Sequence, residues 1–229
     1  MRAVEVRVAA QADIPALLDL QFVCYPVLST IAVWREEHLQ AHQRNFPEGQ
    51  FVAVDGRKIV GLCSTFRVAS RIALRPHSFR EITGHGTFDT HDPRGNALYG
   101  AEIMVHPDYR RLGIASRFYQ ARFDLARRLR LRYFVAAGRL PGYRHHAEKL
   151  TVKQYVRAVA NGTLSDRVLS AQIKNGLHVV DVIPTYLNDP KSHGYASLLM
   201  WENPDFSRRK LVRRRAGDTP PAARRTKTR

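Results

Sequence analysis

The sequence predicts an α/β (α+β) chain, a β-sheet interleaved with helices, and three stretches carry that prediction. Ala97 to Val105 is an apolar run with Glu102 as its one charge, stopped by Pro107; past a short basic turn, Phe118, Phe123 and Leu125 take helical spacing. Val4, Val6 and Val8 alternate like a strand before Ile14, Leu17, Leu18 and Phe22 fall into a helical period. The runs Phe51 to Val54 and Ile59 to Val68 flank Asp55-Gly56-Arg57 and read as a hairpin. At 229 residues the chain is long enough for one well-buried domain with extensions.

The remaining elements follow in order. Asp13 reads as the N-cap of the first helix, with Pro15 in its first turn and Pro26 at its end. A second helix is expected from about Val33 to Asn45, and the long stretch Ser70 to Asn96, with its glycines, prolines and histidines, reads as an irregular insertion. Arg132 to Ala137 is expected as a strand, Val152 to Val159 and Asp166 to Lys174 as helical pieces, and Asn175-Gly176 as a helix stop. Val179 to Ile183 and Tyr195 to Trp201 complete the strands. The domain is expected over residues 1–206, with insertion 70–96, followed by a tail over 207–229.

The turn after Pro107 is the stretch with a chemical signature. A buried strand, a Gly-containing basic turn and a helix N-terminus in succession leave backbone N–H groups unpaired at the positive end of a helix dipole, and a pyrophosphate is the natural guest. Gly113 suits a backbone that phosphate approaches closely and that takes positive φ. Arg110-Arg111-Leu112-Gly113-Ile114-Ala115, preceded by Val105-His106-Pro107, fits Arg/Gln-x-x-Gly-x-Gly/Ala and lacks the Gly-Lys-Ser/Thr ending of a nucleotide-hydrolase P-loop. The motif resembles the acetyl-CoA-binding turn of the GCN5-related N-acetyltransferases (GNAT), and the order β-α-α-β-β-β-α-β-α-β-β over residues 3 to 204 resembles that family too.

The resemblance implies a GNAT fold, with a mixed central sheet of about seven strands flanked by helices. It implies acetyl-CoA as cosubstrate, bound by Arg110, Arg111, Leu112, Gly113, Ile114 and Ala115, with the pantetheine along the backbone of Ile103, Met104 and Val105. The oxyanion donor would be the N–H of Met104 or Val105. It further implies an amine acceptor, small molecule or peptide, attacking directly in a ternary complex. Arg139-Leu140-Pro141-Gly142-Tyr143, Gln172-x-x-Asn175-Gly176-Leu177 and Tyr195-Ala196-x-Leu198-Leu199-x-Trp201-x-Asn203-Pro204 are similar to a subgroup fused to nitrilase-like carbon–nitrogen hydrolases, of which this would be a freestanding version.

Glu102, an ionisable side chain in an apolar strand, is the candidate base, with a structurally paired carboxylate as the alternative. Family members commonly protonate the leaving thiolate with a Tyr at the position held here by Gln172, so Tyr143, Tyr155 or water would serve, unless both tyrosines only pack. Arg139 could clamp a substrate carboxylate or pair with Glu102. Glu81 and His85 in the insertion could contact a cationic acceptor or be ordinary surface. His38 and His42 stand four apart on a helix, without an evident third ligand, and read as a solvated face; no metal is expected.

Composition sets the remaining expectations. Hydrophobic content of 44% and charged content of 25% are those of a soluble globular protein, no apolar run approaches membrane-spanning length, and two cysteines make no disulfide framework, so the cytoplasm is expected. Residues 207–229 hold ten basic side chains against Asp218, about half of the +17 net charge, and read as disordered. The tail suggests contact with nucleic acid or an acidic partner. Two further readings are a non-catalytic CoA-binding partner of a separate amidase and a nucleic-acid- or ribosome-associated protein; a homodimer is also expected of the resemblance.

Overall fold

Ala97–Val105 is the middle strand of a seven-stranded mixed sheet. The computed structural model describes residues 4–25 and 33–206. In chain order the strands are β1 (Val4–Val8), β2 (Gln50–Asp55), β3 (Lys58–Val68), β4 (Ala97–Val105), β5 (Tyr133–Arg139), β6 (His178–Ile183) and β7 (Ala196–Glu202). Their spatial order is β1-β2-β3-β4-β5-β7-β6, antiparallel throughout except for the parallel pair β4–β5. The helices are α1 (Ile14–Cys24), α2 (Glu36–Asn45), α3 (Ser70–Ala73), α4 (Phe79–Ile82), α5 (Ile114–Arg128), α6 (Val152–Ala160) and α7 (Leu169–Lys174). The parallel pair needs a crossover, and α5 supplies it.

Two irregularities in β4 position everything that follows. Opposite β3, Ser64 pairs with Glu102 while Thr65 pairs with Gly100, so Ala101 is an extra residue, a β-bulge. Tyr99 and Glu102, three apart, would otherwise point to opposite faces; the bulge puts both on the face covered by α1 and α2. Opposite β5, pairing runs only from Ala97↔Tyr133 to Gly100↔Ala136. Beyond that point the strands part, and the ends of β4 and β5 border a cleft.

One core spans both faces. Leu17 and Leu20 of α1, Leu39 of α2, and Leu62 and Phe66 of β3 are buried on one side. Phe118, Phe123, Leu125 and Phe134 fill the other, where Phe123 stacks on Trp201 at 4.4 Å. Gly113 enters α5 at φ 78° and Gly176 follows the end of α7 at φ 92°.

Four expectations needed adjustment. Asp13 sits at the start of α1, but its carboxylate accepts from Arg7 and from the Ala10 N–H instead of capping the helix. The second helix starts at Glu36, because the Gln21 side-chain amide takes both the N–H and the carbonyl of Trp34. Residues 70–96 are built into the core: they carry α3 and α4, and Phe79, Ile82 and Phe88 are buried. The same insertion corrects the reading of His42, which is 1% exposed, stacks on Phe88 at 3.6 Å and bonds the Gly86 carbonyl at 2.8 Å. Burial pushes its imidazole down to about 3. Pro26 and the basic tail lie outside the described residues.

Candidate active site

The turn after β4 is shaped as an anion cradle. Arg111 and Gly113 both take positive φ, 64° and 78°, and α5 begins at Ile114. Among the described residues no backbone acceptor meets the N–H groups of Arg111 through Ser116; the next one along, Arg117 N–H, bonds Gly113. A Cβ at Gly113 would stand in open space, so the turn's outer side is free. Arg110 folds back, its Nε donating to the Val105 carbonyl at 3.3 Å, while Arg111 and Leu112 are exposed.

The end of β4 has an unsatisfied side. His106 N–H donates to the Val60 carbonyl at 2.9 Å, so strand alternation turns Met104 toward β3, and Ile103 and Val105 toward the cleft. The Ile103 N–H finds its acceptor in the Glu102 side chain at 3.0 Å. Of the two oxyanion donors named from the sequence, Val105 is the one whose N–H faces the cleft.

Glu102 and Arg139 flank the cleft on the α1–α2 face. Glu102 Oε1 also accepts from the Tyr25 hydroxyl at 3.1 Å. Burial pushes the Glu102 carboxyl up to about 7, against the opposing effects of Tyr25, the Ile103 N–H and the cations Arg139 and Arg122. Burial also pushes the Tyr25 phenol well up, and Glu102 adds to that. Arg139 Nε donates to Asp189 Oδ2 at 2.8 Å. Asp189 is 4% exposed, is bonded by Ser192 Oγ and the Lys191 N–H, and is held below its ordinary range because Arg139 and those bonds outweigh its desolvation.

Behind Glu102 lies a chain of buried hydroxyls. His77 Nδ1 faces the Arg75 carbonyl at 2.6 Å, and a carbonyl only accepts, so Nδ1 carries the proton. Nε2 then accepts from Tyr99 Oη at 2.8 Å, and Tyr99 in turn accepts from Tyr186 Oη at 3.1 Å. On the other face of the cleft, Arg122 of α5 is 2% exposed and donates to the carbonyls of Ser64 at 2.9 Å and Glu102 at 2.6 Å, stapling the bulge. Gln172 packs on the Gly138 backbone near Tyr119, and its Oε1 has no hydrogen-bond partner among the described residues.

The residues singled out in the sequence are not all together. Glu102, Arg139, Ile103 to Val105 and the turn Arg110 to Ala115 share the cleft. Tyr155 Oη instead donates to Asp166 at 2.9 Å in the core, and Tyr143 Oη donates to the Leu150 carbonyl at 3.1 Å. Glu81 accepts from Ser78 as the N3 residue of a capping box on α4, and His85 accepts from Arg80 at 2.6 Å. Tyr25, Asp189, Tyr186 and Arg122 escaped the sequence reading. Only Arg122 had a signal, an Arg one position before Phe123 on the helix's apolar stripe.

Comparisons with known proteins identify the family and the fold. A model of the Acetyltransferase (GNAT) family matches residues 14–150. The probable hydrolase YhcX of Bacillus subtilis (strain 168) is 40% identical over 202 residues, 88% of this chain but 39% of its own length, so the chain spans about two fifths of that relative. The uncharacterized N-acetyltransferase YkwB of the same organism is 32% identical over 202 residues, covering 88% of this chain and 89% of YkwB. Among solved structures, the GphF GNAT-like decarboxylase in complex with isobutyryl-CoA matches with a TM-score of 0.75 at 25% identity, covering 86% of this chain and 98% of GphF.

Proposed function

The chain belongs to the Acetyltransferase (GNAT) family, and from that premise we propose that it is an acetyl-CoA-dependent N-acetyltransferase acting on a primary amine by direct attack. The single observation that carries the reading is the cleft itself: β4 and β5 part after Gly100 and Ala136, with an open anion cradle at one end and Glu102 at the other. Acetyl-CoA would supply the acyl group, activated as a thioester. The unpartnered N–H groups from Arg111 to Ser116 would hold its pyrophosphate, and the backbone of Ile103 and Val105 its pantetheine arm. The Val105 N–H, fixed in the strand, would donate to the thioester oxygen as charge develops there.

Glu102 would take the proton from the acceptor's ammonium. A carboxyl near 7 is matched to that work at neutral pH, where it is ionised in a large fraction of molecules and basic enough to accept. Tyr25 and the Ile103 N–H orient one oxygen and leave the other for the amine. The thiolate's proton comes from water in this reading, because the Leu150 carbonyl and Asp166 hold the Tyr143 and Tyr155 hydroxyls and Gln172 stands where other family members carry a tyrosine. The test is release of free CoA from acetyl-CoA across an amine panel. The expected kcat/KM rises with pH through about 7, and Glu102→Gln lowers it roughly 10²- to 10⁴-fold and removes that limb. An unchanged profile in the variant would exclude Glu102 as the base.

Two further readings have support. The likeness to GphF favours loss of CO₂ from a carboxylated acyl-CoA in the same cleft, read out by CO₂ release without an amine. The likeness to YhcX, named a probable hydrolase and much longer, favours a CoA-binding domain that works beside an amidase, read out by co-purification.

A further inference from the structure

Glu102 and Arg139 are opposite charges facing one cleft, and they do not pair with each other. Each lies close enough to shift the other's ionisation, yet the guanidinium's ion pair is with Asp189. A partly desolvated acid and base ordinarily collapse together, because each unpaired charge costs several kcal/mol. Here separate anchors hold them apart. Arg139 is fixed from behind through Nε by Asp189, whose carboxylate is gripped by Ser192 Oγ at 2.5 Å; that same hydroxyl accepts the Leu140 N–H at 2.9 Å. Glu102 is fixed through Oε1 by Tyr25 and the Ile103 N–H. Among the described residues, nothing hydrogen-bonds the Nη groups of Arg139 or Oε2 of Glu102.

We propose that this split pair is the recognition site for a free α-amino acid, whose ammonium bonds Glu102 Oε2 while its carboxylate takes the two Nη groups of Arg139. The inference rests on the N-acetyltransferase reading, in which Glu102 deprotonates that same ammonium. A guanidinium engaged at Nε presents its two terminal nitrogens as a fork, the geometry that binds a carboxylate bidentately. A simple amine would leave the two Nη groups of Arg139 without a hydrogen-bond partner at the cleft, and an acceptor with a second cation there would be repelled by the guanidinium. Tyr25 bonds Glu102 Oε1 at 3.1 Å and so places a phenol beside that carboxylate.

The experiment measures binding, so that it does not depend on turnover. Full-length protein is first titrated with acetyl-CoA, then saturated with CoA and titrated by calorimetry with the twenty L-amino acids and their carboxamides. At least one free acid is expected to bind, roughly 10- to 100-fold tighter than its carboxamide, the range of a charge-assisted hydrogen bond. Arg139→Met is expected to erase that preference and Arg139→Lys to restore part of it. Should both variants fail to fold, the acid-against-amide ratio in the wild type decides the matter. Equal affinity for acid and amide, or no binding by any acid while acetyl-CoA binds, overturns the amino-acid site and leaves the acetyltransferase reading standing. An Arg139→Met defect confined to malonyl-CoA also overturns it, assigning the fork to the acyl donor's carboxylate. Absence of acetyl-CoA binding overturns both readings together.

Discussion

At the scale of single residues, Glu102 is the position where sequence and structure meet most closely. A lone carboxylate in the run Ala97 to Val105 stands out in the sequence alone, because ionised groups avoid apolar strands unless they have a partner or a purpose. Its partners were not legible. Tyr25 lies 77 positions away and bonds it only because the end of α1 reaches β4. Raising the Glu102 carboxyl from its ordinary 4.5 to about 7 has a consequence for stability, with a definite sign. Below about pH 4.5 the carboxyl is neutral in both the folded and the unfolded chain, and its stabilising contribution is complete. As pH rises toward 7 the unfolded chain ionises first, so the contribution is progressively lost, and above 7 the loss is full. The melting temperature of Glu102→Gln, relative to wild type, is therefore expected to climb between pH 4 and pH 7 and then level off. A gap constant across that window would mean that the carboxyl is not perturbed.

At the scale of elements, the strands and helices were legible and their irregularities were not. The runs near Val4, Phe51, Ile59, Ala97, Arg132, Val179 and Tyr195 all became strands within one or two residues of expectation, since each is a bounded apolar segment. The bulge at Ala101 left no trace, because β4 is apolar on both faces and has no alternation for an extra residue to interrupt. The two informative glycines also differ in kind. Gly113 announced itself by its motif and takes positive φ, with room for a Cβ. Gly138 has an ordinary backbone, but a Cβ there would collide with the Gln172 amide, itself 6% exposed. Gly138→Ala is expected to cost about 1–3 kcal/mol through overpacking, seen as a lower urea midpoint at an unchanged m-value. It should be partly rescued by Gln172→Ala, which removes the obstructing amide. An unaltered midpoint would show that α7 yields without cost.

At the scale of the whole molecule, the class and the chain order of the elements were legible in the sequence, while the swapped spatial order of β6 and β7 and the arrangement of the site were not. Tyr143 and Tyr155 sit near the β5 exit in sequence, but Leu150 and Asp166 claim their hydroxyls; Tyr25 and Asp189 arrive from two other parts of the chain. The insertion 70–96 looked like surface because Gly, Pro and His dominate it, yet Phe79, Ile82 and Phe88 anchor it in the core and carry His77 to Tyr99. What unites these parts is the cleft opened where β4 leaves β5, with the cradle of Arg111 to Ser116 at its mouth. Isothermal titration of acetyl-CoA into wild type and Gly113→Glu, at low and high salt, tests that union most directly. Wild-type binding is expected on the order of micromolar Kd and weakened by salt. None is expected in the variant, whose carboxylate would occupy the phosphate site; matched far-UV circular dichroism of the two proteins checks that the turn's strain at φ 78° has not unfolded the domain. Equal binding by the two proteins, or no binding by the wild type, would contradict the assignment of the cradle to CoA.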